Sequence, residues 1–364
     1  MKQNLFRNTT LALLGALMLL QGCVTEQQQS SRRYLWPRPP DPPKIEWLKS
    51  YYGENDFPKT GFAEFIEIVF GRTEPTLFEK PIDIKSNGKG IVYVTDIVLG
   101  AIFVFDLNNQ KVEVWRRGSD PDNSLALLPY YIALDSNGNL YTVGTGSNNV
   151  YVTDSKGTVL RKFDYSEKVK SPGGIFVDSD SKRIYLVDIG NNKVSVFDLA
   201  GKFLFSFGKG GDGDGEFNRP LPITMNNKGE IIIGDTMNSR VQIFDKEGKF
   251  LRKFGERGDT GPAFQIIKGV ATDSDDNVYV TDGKANSVKI FNTNGDFLMT
   301  LGGAYSVTKT MREAPGGFLL PQGIFIDKND TIYIADQANV RFQIFKYLKD
   351  GLKKDDASAP KELK

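Results

Sequence analysis

The chain has 364 residues, with 46 Lys plus Arg against 45 Asp plus Glu, one cysteine and no histidine. This composition excludes Ser-His-Asp and Cys-His triads, His-liganded zinc or haem and any internal disulfide, and the near-neutral charge leaves no basic footprint for nucleic acid. Length alone suggests two or three domains of roughly 150 residues, but all-β rings run longer as single units, and 37 glycines with 12% aromatics favour short strands and tight turns.

Residues 1–22 place Lys2 and Arg7 ahead of an apolar run over 11–20, the charge-then-hydrophobe order of a secretory signal peptide. A membrane span needs about 20 apolar residues, so this run is too short to be one. It ends in Leu20-Gln21-Gly22-Cys23, which resembles the lipobox of bacterial lipoproteins. That resemblance implies cleavage before Cys23 and a lipid on its sulfur. Because Val24 rather than Asp follows, it also implies an outer-membrane lipoprotein facing the periplasm or the cell surface. An ordinary signal peptide with a chance cysteine is the other reading. Cleavage removes two basic residues and no acid, leaving 44 basic and 45 acidic residues. From 23 to 44 the chain turns polar and then proline-rich, with Pro37, Pro39, Pro40, Pro42 and Pro43 close together. Such a stretch favours extended polyproline II and reads as a stiff spacer, with a proline-recognition ligand as the alternative.

The rest repeats itself. A β-branched or aromatic strand closing in Asp recurs at Asp96, Asp188, Asp235, Asp282 and Asp336, and Gly144 fills the remaining slot; successive anchors lie 48, 44, 47, 47 and 54 residues apart. Each anchor strand has one strand before it and two after it, joined by polar turns such as Asp135-Ser136-Asn137-Gly138 and Asp245-Lys246-Glu247-Gly248. Asp and Asn bond the turn backbone and Gly accepts positive φ. Units of four short strands every 40 to 50 residues are propeller blades, so the expected fold class is all-β, a six-bladed propeller.

The pattern Pro-x-Gly-Ile-x-x-Asp, then Tyr-x-x-Asp, then Asn and Arg, then Phe-Asp-x-x-Gly-x-Phe-Leu-x-x-Phe-Gly is clearest over 172–208, 225–255 and 321–345. It resembles the NHL repeat of six-bladed propellers, and the resemblance spans about 45–348. Blade six stops after its third strand near Phe345, and an open edge there would be a liability. The segment 44–53, KIEWLKSYYG, has the pattern of a fourth strand, so residues 45–52 are expected to complete blade six from the N-terminal side.

In such a meander the tight turns emerge on one face, and the long interblade crossings emerge on the other. The longest crossings are 54–80 and 303–320. The first contains Phe62, Phe65, Ile66, Val69 and Phe70 at helical spacing, which predicts a helical insertion over about 61–71 ending at Gly71. Its apolar side either packs on the propeller's own rim or docks a partner or lipid. Arg240 and Arg341, beside two anchors, are taken with those five residues as candidate partner contacts. The anchor Asp residues themselves read as architecture, bonding the following loops through Asn191, Asn238 and Asn339. The loop 208–220 carries Asp212, Asp214 and Glu216 at alternate positions, as calcium loops often do, but lacks the further carboxylates of an EF-hand, and no metal or other cofactor is expected. The tail 349–364 is charged and reads as disordered.

NHL propellers generally bind proteins or other ligands through the loop-rich face. Together with the leader, the resemblance implies a membrane-tethered, non-enzymatic binding or scaffold module, in assembly or tethering of envelope proteins such as multihaem cytochromes, with no nucleic-acid partner. The alternative is a calcium-dependent lactonase-like hydrolase. That chemistry needs carboxylates at the inner-strand mouths, whereas this chain offers 172–174 (PGG), 220–222 (PLP), 267–269 (IKG) and 321–323 (PQG).

Overall fold

The computed structural model describes residues 33–38, 40–58, 74–116 and 128–351. Cys23, the helix expected over 61–71 with its five apolar contacts, and most of the charged tail lie outside the described residues.

Five blades are four-stranded antiparallel meanders, over 81–116, 128–164, 172–207, 220–254 and 267–301. The sixth combines 321–347 with two strands from the other end of the chain. Innermost strands Pro81–Ser86, Leu128–Leu134, Pro172–Asp178, Pro220–Met225, Ile267–Thr272 and Pro321–Ile326 follow one another around the axis, the last meeting the first. The fold expected from the repeat is the fold observed.

Burial explains the sequence of each strand. The second strand of blade four, Ile231–Asp235, is buried at every position, because blades cover both of its faces, and it reads as an unbroken apolar run. The outermost strand Phe250–Phe254 alternates between half-buried and exposed, with phenylalanines inward and Leu251 and Lys253 outward. The cores lie between neighbouring blades: Tyr185, Val187, Val194 and Val196 of blade three pack on Phe217, Ile223, Ile233 and Phe244 at blade four.

Blade six closes as expected, with Ile45–Tyr51 antiparallel to Arg341–Tyr347 and Ile45 opposite Tyr347. One addition was not expected. Tyr34–Trp36, within the stretch read as spacer, pairs with Ile45–Tyr51 as a fifth and outermost strand. The reading of all of 23–44 as linker is therefore corrected, and the folded body reaches back to Tyr34. Prolines are compatible with an edge strand, where a missing N–H faces no ladder partner, and the Trp36 ring anchors it edge-on to Phe345 at 5.9 Å.

Candidate functional site

The anchor aspartates tie every blade but the second to the crossing that enters it. Asp188 is fully buried and accepts the backbone N–H groups of Lys170, Ser171, Gly190 and Asn191, together with the Asn191 side-chain amide at 2.7 Å. Asp96 and Asp282 do the same for the crossings into blades one and five. Asn238 and Asn339 donate to Asp235 and Asp336 at 2.8 and 2.9 Å, so the architectural role expected of the anchors and their asparagines holds. Blade two has Gly144 instead because the Leu128 carbonyl comes so close that a Cβ there would sit 1.9 Å from its oxygen. No side chain of any size fits that slot.

Arg240 and Arg341 turn out to be internal. Arg341 is fully buried and bonds the Asp336 carboxylate, Ser50 Oγ, Glu313 and the carbonyls of Ala314 and Gly317. Arg240 repeats the arrangement with Asp235 and the carbonyls of Asp212, Gly213 and Glu216. Both guanidiniums clamp the loop leading into their blade, so neither is available to a partner, and the expectation that they form contacts is corrected. Burial pushes the Asp235 and Asp336 carboxyls up, and the arginine and amide donors oppose that push. The signal that could have shown this is the strict Asp-x4-Arg-x-Gln spacing in both blades, which puts three bonding groups on one buried side of the sheet.

The 208–220 loop is also internally engaged. Glu216 accepts Gly213 N–H and pairs with Lys209, while Asp214 pairs with Lys253 at 2.6 Å. Among the described residues no three Asp, Glu or Cys side chains converge on a possible metal position.

At the axis each inner strand is bulged near its start, between Pro81 and Ile84, Pro129 and Tyr131, Pro172 and Ile175, and likewise in the other three blades. The bulges bring neighbouring inner strands together around a cavity of only about 30 Å³, lined among others by Asp83, Lys85, Tyr131, Lys268 and Gln322. Asp83 takes Lys85 Nζ at 2.8 Å and the Ile132 N–H at 3.0 Å, so the acid of the channel is already neutralised and fixed across the seam between blades one and two. Lys268 has no hydrogen-bond or ion-pair partner among the described residues, and burial pulls its ammonium below the usual lysine range.

A larger concavity, about 1090 Å³, opens on the tight-turn face at the seam of blades one and two, with Asn87, Lys111 and Ser136 on its walls, and reaches inward to Phe176 of blade three and Phe325 of blade six. On this face the other seams are bonded: Ser136 N–H to Ser179 Oγ, Lys246 to Asp178, Asn227 N–H to Asp276, Ser274 N–H to Asp330, and the Asn329 amide to the Gly88 carbonyl. No such bond joins the turns of blades one and two among the described residues. Sequence reasoning missed this groove because a missing bond between two tight turns leaves no insertion to notice.

Fold and sites together define a six-bladed β-propeller. Residues 217–244 match the NHL repeat, so the chain is a six-bladed propeller carrying that repeat. Solved structures agree on the architecture. A Bacteroides thetaiotaomicron protein of unknown function matches with a TM-score of 0.61 at 16% identity, over 83% of this chain and 75% of that one. A streptogramin B lyase matches with a TM-score of 0.55 at 12% identity, over 84% and 98%. A catalytically inactive histidine-to-alanine variant of virginiamycin B lyase from Staphylococcus aureus, with quinupristin, matches with a TM-score of 0.52 at 17% identity, over 76% and 85%.

Proposed function

We propose that this chain is a non-enzymatic binding propeller, anchored in the bacterial outer membrane through a lipid on Cys23, which docks a protein partner on the face carrying the interblade crossings. The filled axis is the observation that carries this reading. At the bulged starts of the inner strands the axis narrows to a cavity of about 30 Å³, against roughly 300–1,000 Å³ for a usual substrate pocket, and the larger concavity on the tight-turn face brings no three carboxylates together among the described residues. The crossings, in contrast, are held by buried anchors and clamping arginines, which makes them a rigid display surface of the kind on which binding loops sit. Chemistry points the same way: replacing a histidine inactivates the virginiamycin B lyase of similar fold, and this chain has no histidine at all.

The partner is an envelope protein, of which multihaem cytochromes are the specific case; the chain carries no haem-attachment motif of its own, which makes its part assembly or tethering. Two experiments test this. Cys23→Ser should move the protein from the membrane fraction to the soluble one, and retention would reject lipidation. Co-purification from solubilised membranes should lose its partner when residues 62–70 are deleted; an unchanged set of partners removes that segment as the contact. Stoichiometric divalent metal in the purified protein would overturn the non-enzymatic reading in favour of a calcium-dependent hydrolase.

A further inference from the structure

We infer that the crossing-face mouth of the central channel is a seat for a single carboxylate, held by the ammonium of Lys268 and the side-chain amide of Gln322. This inference deepens the binding role proposed above and rests on it, because the carboxylate is the chemistry a docking partner presents at the axis.

Three observations converge on it. The charged groups lining the channel are Lys85, Lys268 and Asp83, two cations and one anion. Asp83 belongs to Lys85, its partner at 2.8 Å, so Lys268 is left as an uncompensated positive charge in a half-buried position. A buried charge is normally paired, and one without a partner marks a place where a counter-charge is missing.

The second observation is local and asymmetric. Lys268 is the second residue of its inner strand, and the corresponding places in the other blades hold Ile82, Tyr130, Gly173, Leu221 and Gln322. Its aliphatic stem lies against Gly283, where an added Cβ would come within 2.8 Å of Lys268 Cγ. Gly283 immediately follows the anchor Asp282, and Ile97, Ile189, Thr236 and Gln337 stand at the equivalent positions after their own anchor aspartates. Among the blades with an Asp anchor, only blade five thus has the gap that lets a lysine lie at the mouth. An architectural lysine in a repeat would recur; this one and its glycine occur together once.

Third, Gln322 is 9% exposed, and its Nε2 reaches only the Leu320 carbonyl and Gln337 Oε1, both at 3.4 Å. Those are long for N–H···O bonds, so this donor has capacity left for a better acceptor. An ammonium and a planar amide donor suit the two oxygens of a carboxylate. The cavity, about 30 Å³, admits the tip of an acidic side chain or a chain terminus and is too small for a phosphorylated metabolite. Free small carboxylates share this chemistry with a partner's Asp, Glu or C-terminus.

The experiment uses the full folded chain and follows thermal unfolding in sodium acetate, sodium phosphate and sodium chloride at equal ionic strength. Acetate should raise the midpoint above that in chloride, since a ligand that binds only the folded state stabilises it by mass action. The shift should vanish in Lys268→Met and persist in Lys268→Arg, which keeps the charge. Equal midpoints in acetate and chloride, or the same acetate shift in Lys268→Met, would overturn the seat. Phosphate raises midpoints without a site by exclusion from the surface, so the comparison is of the part lost in Lys268→Met: a larger Lys268-dependent shift in phosphate than in acetate would overturn the carboxylate assignment. Co-purification with Lys268→Met then separates the two claims. Loss of both the acetate shift and the partner supports a partner's carboxylate at the axis. Loss of the shift alone assigns the seat to free carboxylates, and an absent partner in both forms, with the acetate shift intact in the unsubstituted chain, counts against the docking role and leaves the seat standing.

Discussion

Arg341 Nε donates to Asp336 Oδ2 at 2.9 Å with both side chains fully buried, and the same guanidinium reaches Ser50 on the strand that arrives from the opposite end of the chain. One arginine thus joins the anchor of blade six, the crossing that enters it and the strand that completes it. Arg341→Met leaves a buried carboxylate without its cation, while the Ala314 and Gly317 carbonyls each keep one other donor, the Gly317 N–H and the Gln343 amide. The expected loss is about 3–5 kcal/mol, read as a lower urea midpoint. Arg341→Lys should lose less, and a Met variant as stable as the parent would show that the clamp carries no stability.

Gly323 lies where blade six meets blade one. A Cβ there would stand 2.7 Å from Asp83 Oδ1 and 2.8 Å from the Ile82 carbonyl oxygen. Gly323→Ala should therefore destabilise by about 1–3 kcal/mol through forced displacement of the seam. Gly138→Ala is the control, because that turn glycine has positive φ but open space around it, so the substitution costs only the backbone strain it introduces, about 1–2 kcal/mol. Circular dichroism during denaturation separates the two, since only the Gly323 variant should also loosen the tertiary signal around the axis.

Lys268 gives the protein a pH dependence with a definite sign. Burial lowers its pKa below the ordinary 10.5, so the folded chain releases this proton at lower pH than the unfolded chain does. Between the two values the unfolded state binds more protons, and stability rises with pH across that window. The full penalty is present below the folded-state pKa and is relieved as pH rises through the window. Lys268→Met should be more stable than the parent at neutral pH, and the two denaturation curves should draw together as the medium approaches about pH 10. Curves that stay parallel would place the ammonium in water.

The two N-terminal strands predict graded truncation effects. A chain starting at 43 loses the pairing of Tyr34–Trp36 and the Trp36 contact with Phe345, a modest drop in midpoint for an edge strand. A chain starting at 53 also loses Ile45–Tyr51, which strips Arg341–Tyr347 of its partner and removes the stacking of Tyr51 on Phe342 at 5.0 Å. This shorter chain should associate through its exposed edge, visible as larger species in size-exclusion chromatography. A monomer with the parent's midpoint would refute the closing role of the strand.

The repeat made the ring legible, because each blade needs the same buried strand and the same polar turns, and the missing fourth strand of blade six pointed to 44–53 by its pattern. Tyr34–Trp36 was hidden by its surroundings, since five prolines within seven residues dominate the local signal while the strand is set by the contact of Trp36 with Phe345, far away in the chain. Arg240 and Arg341 looked like surface groups because charge favours water, and only the fold brings the carbonyls that surround them. The channel residues were visible as letters in the inner strands. Their imbalance of charge became clear when the pairing of Asp83 with Lys85 was known.

Ile45 pairs with Tyr347, so the first long strand of the body waits for the last. At ribosomal rates of about 5–20 residues per second, roughly 15–60 s separate their appearance. Throughout that interval blade six cannot assemble, and a chain that ends early never closes. The seam thus works as a check on synthesis of the ring: only a polypeptide that extends through Tyr347 can cover the edge of Ile45–Tyr51, and one terminated earlier keeps an adhesive strand on display for proteases to find.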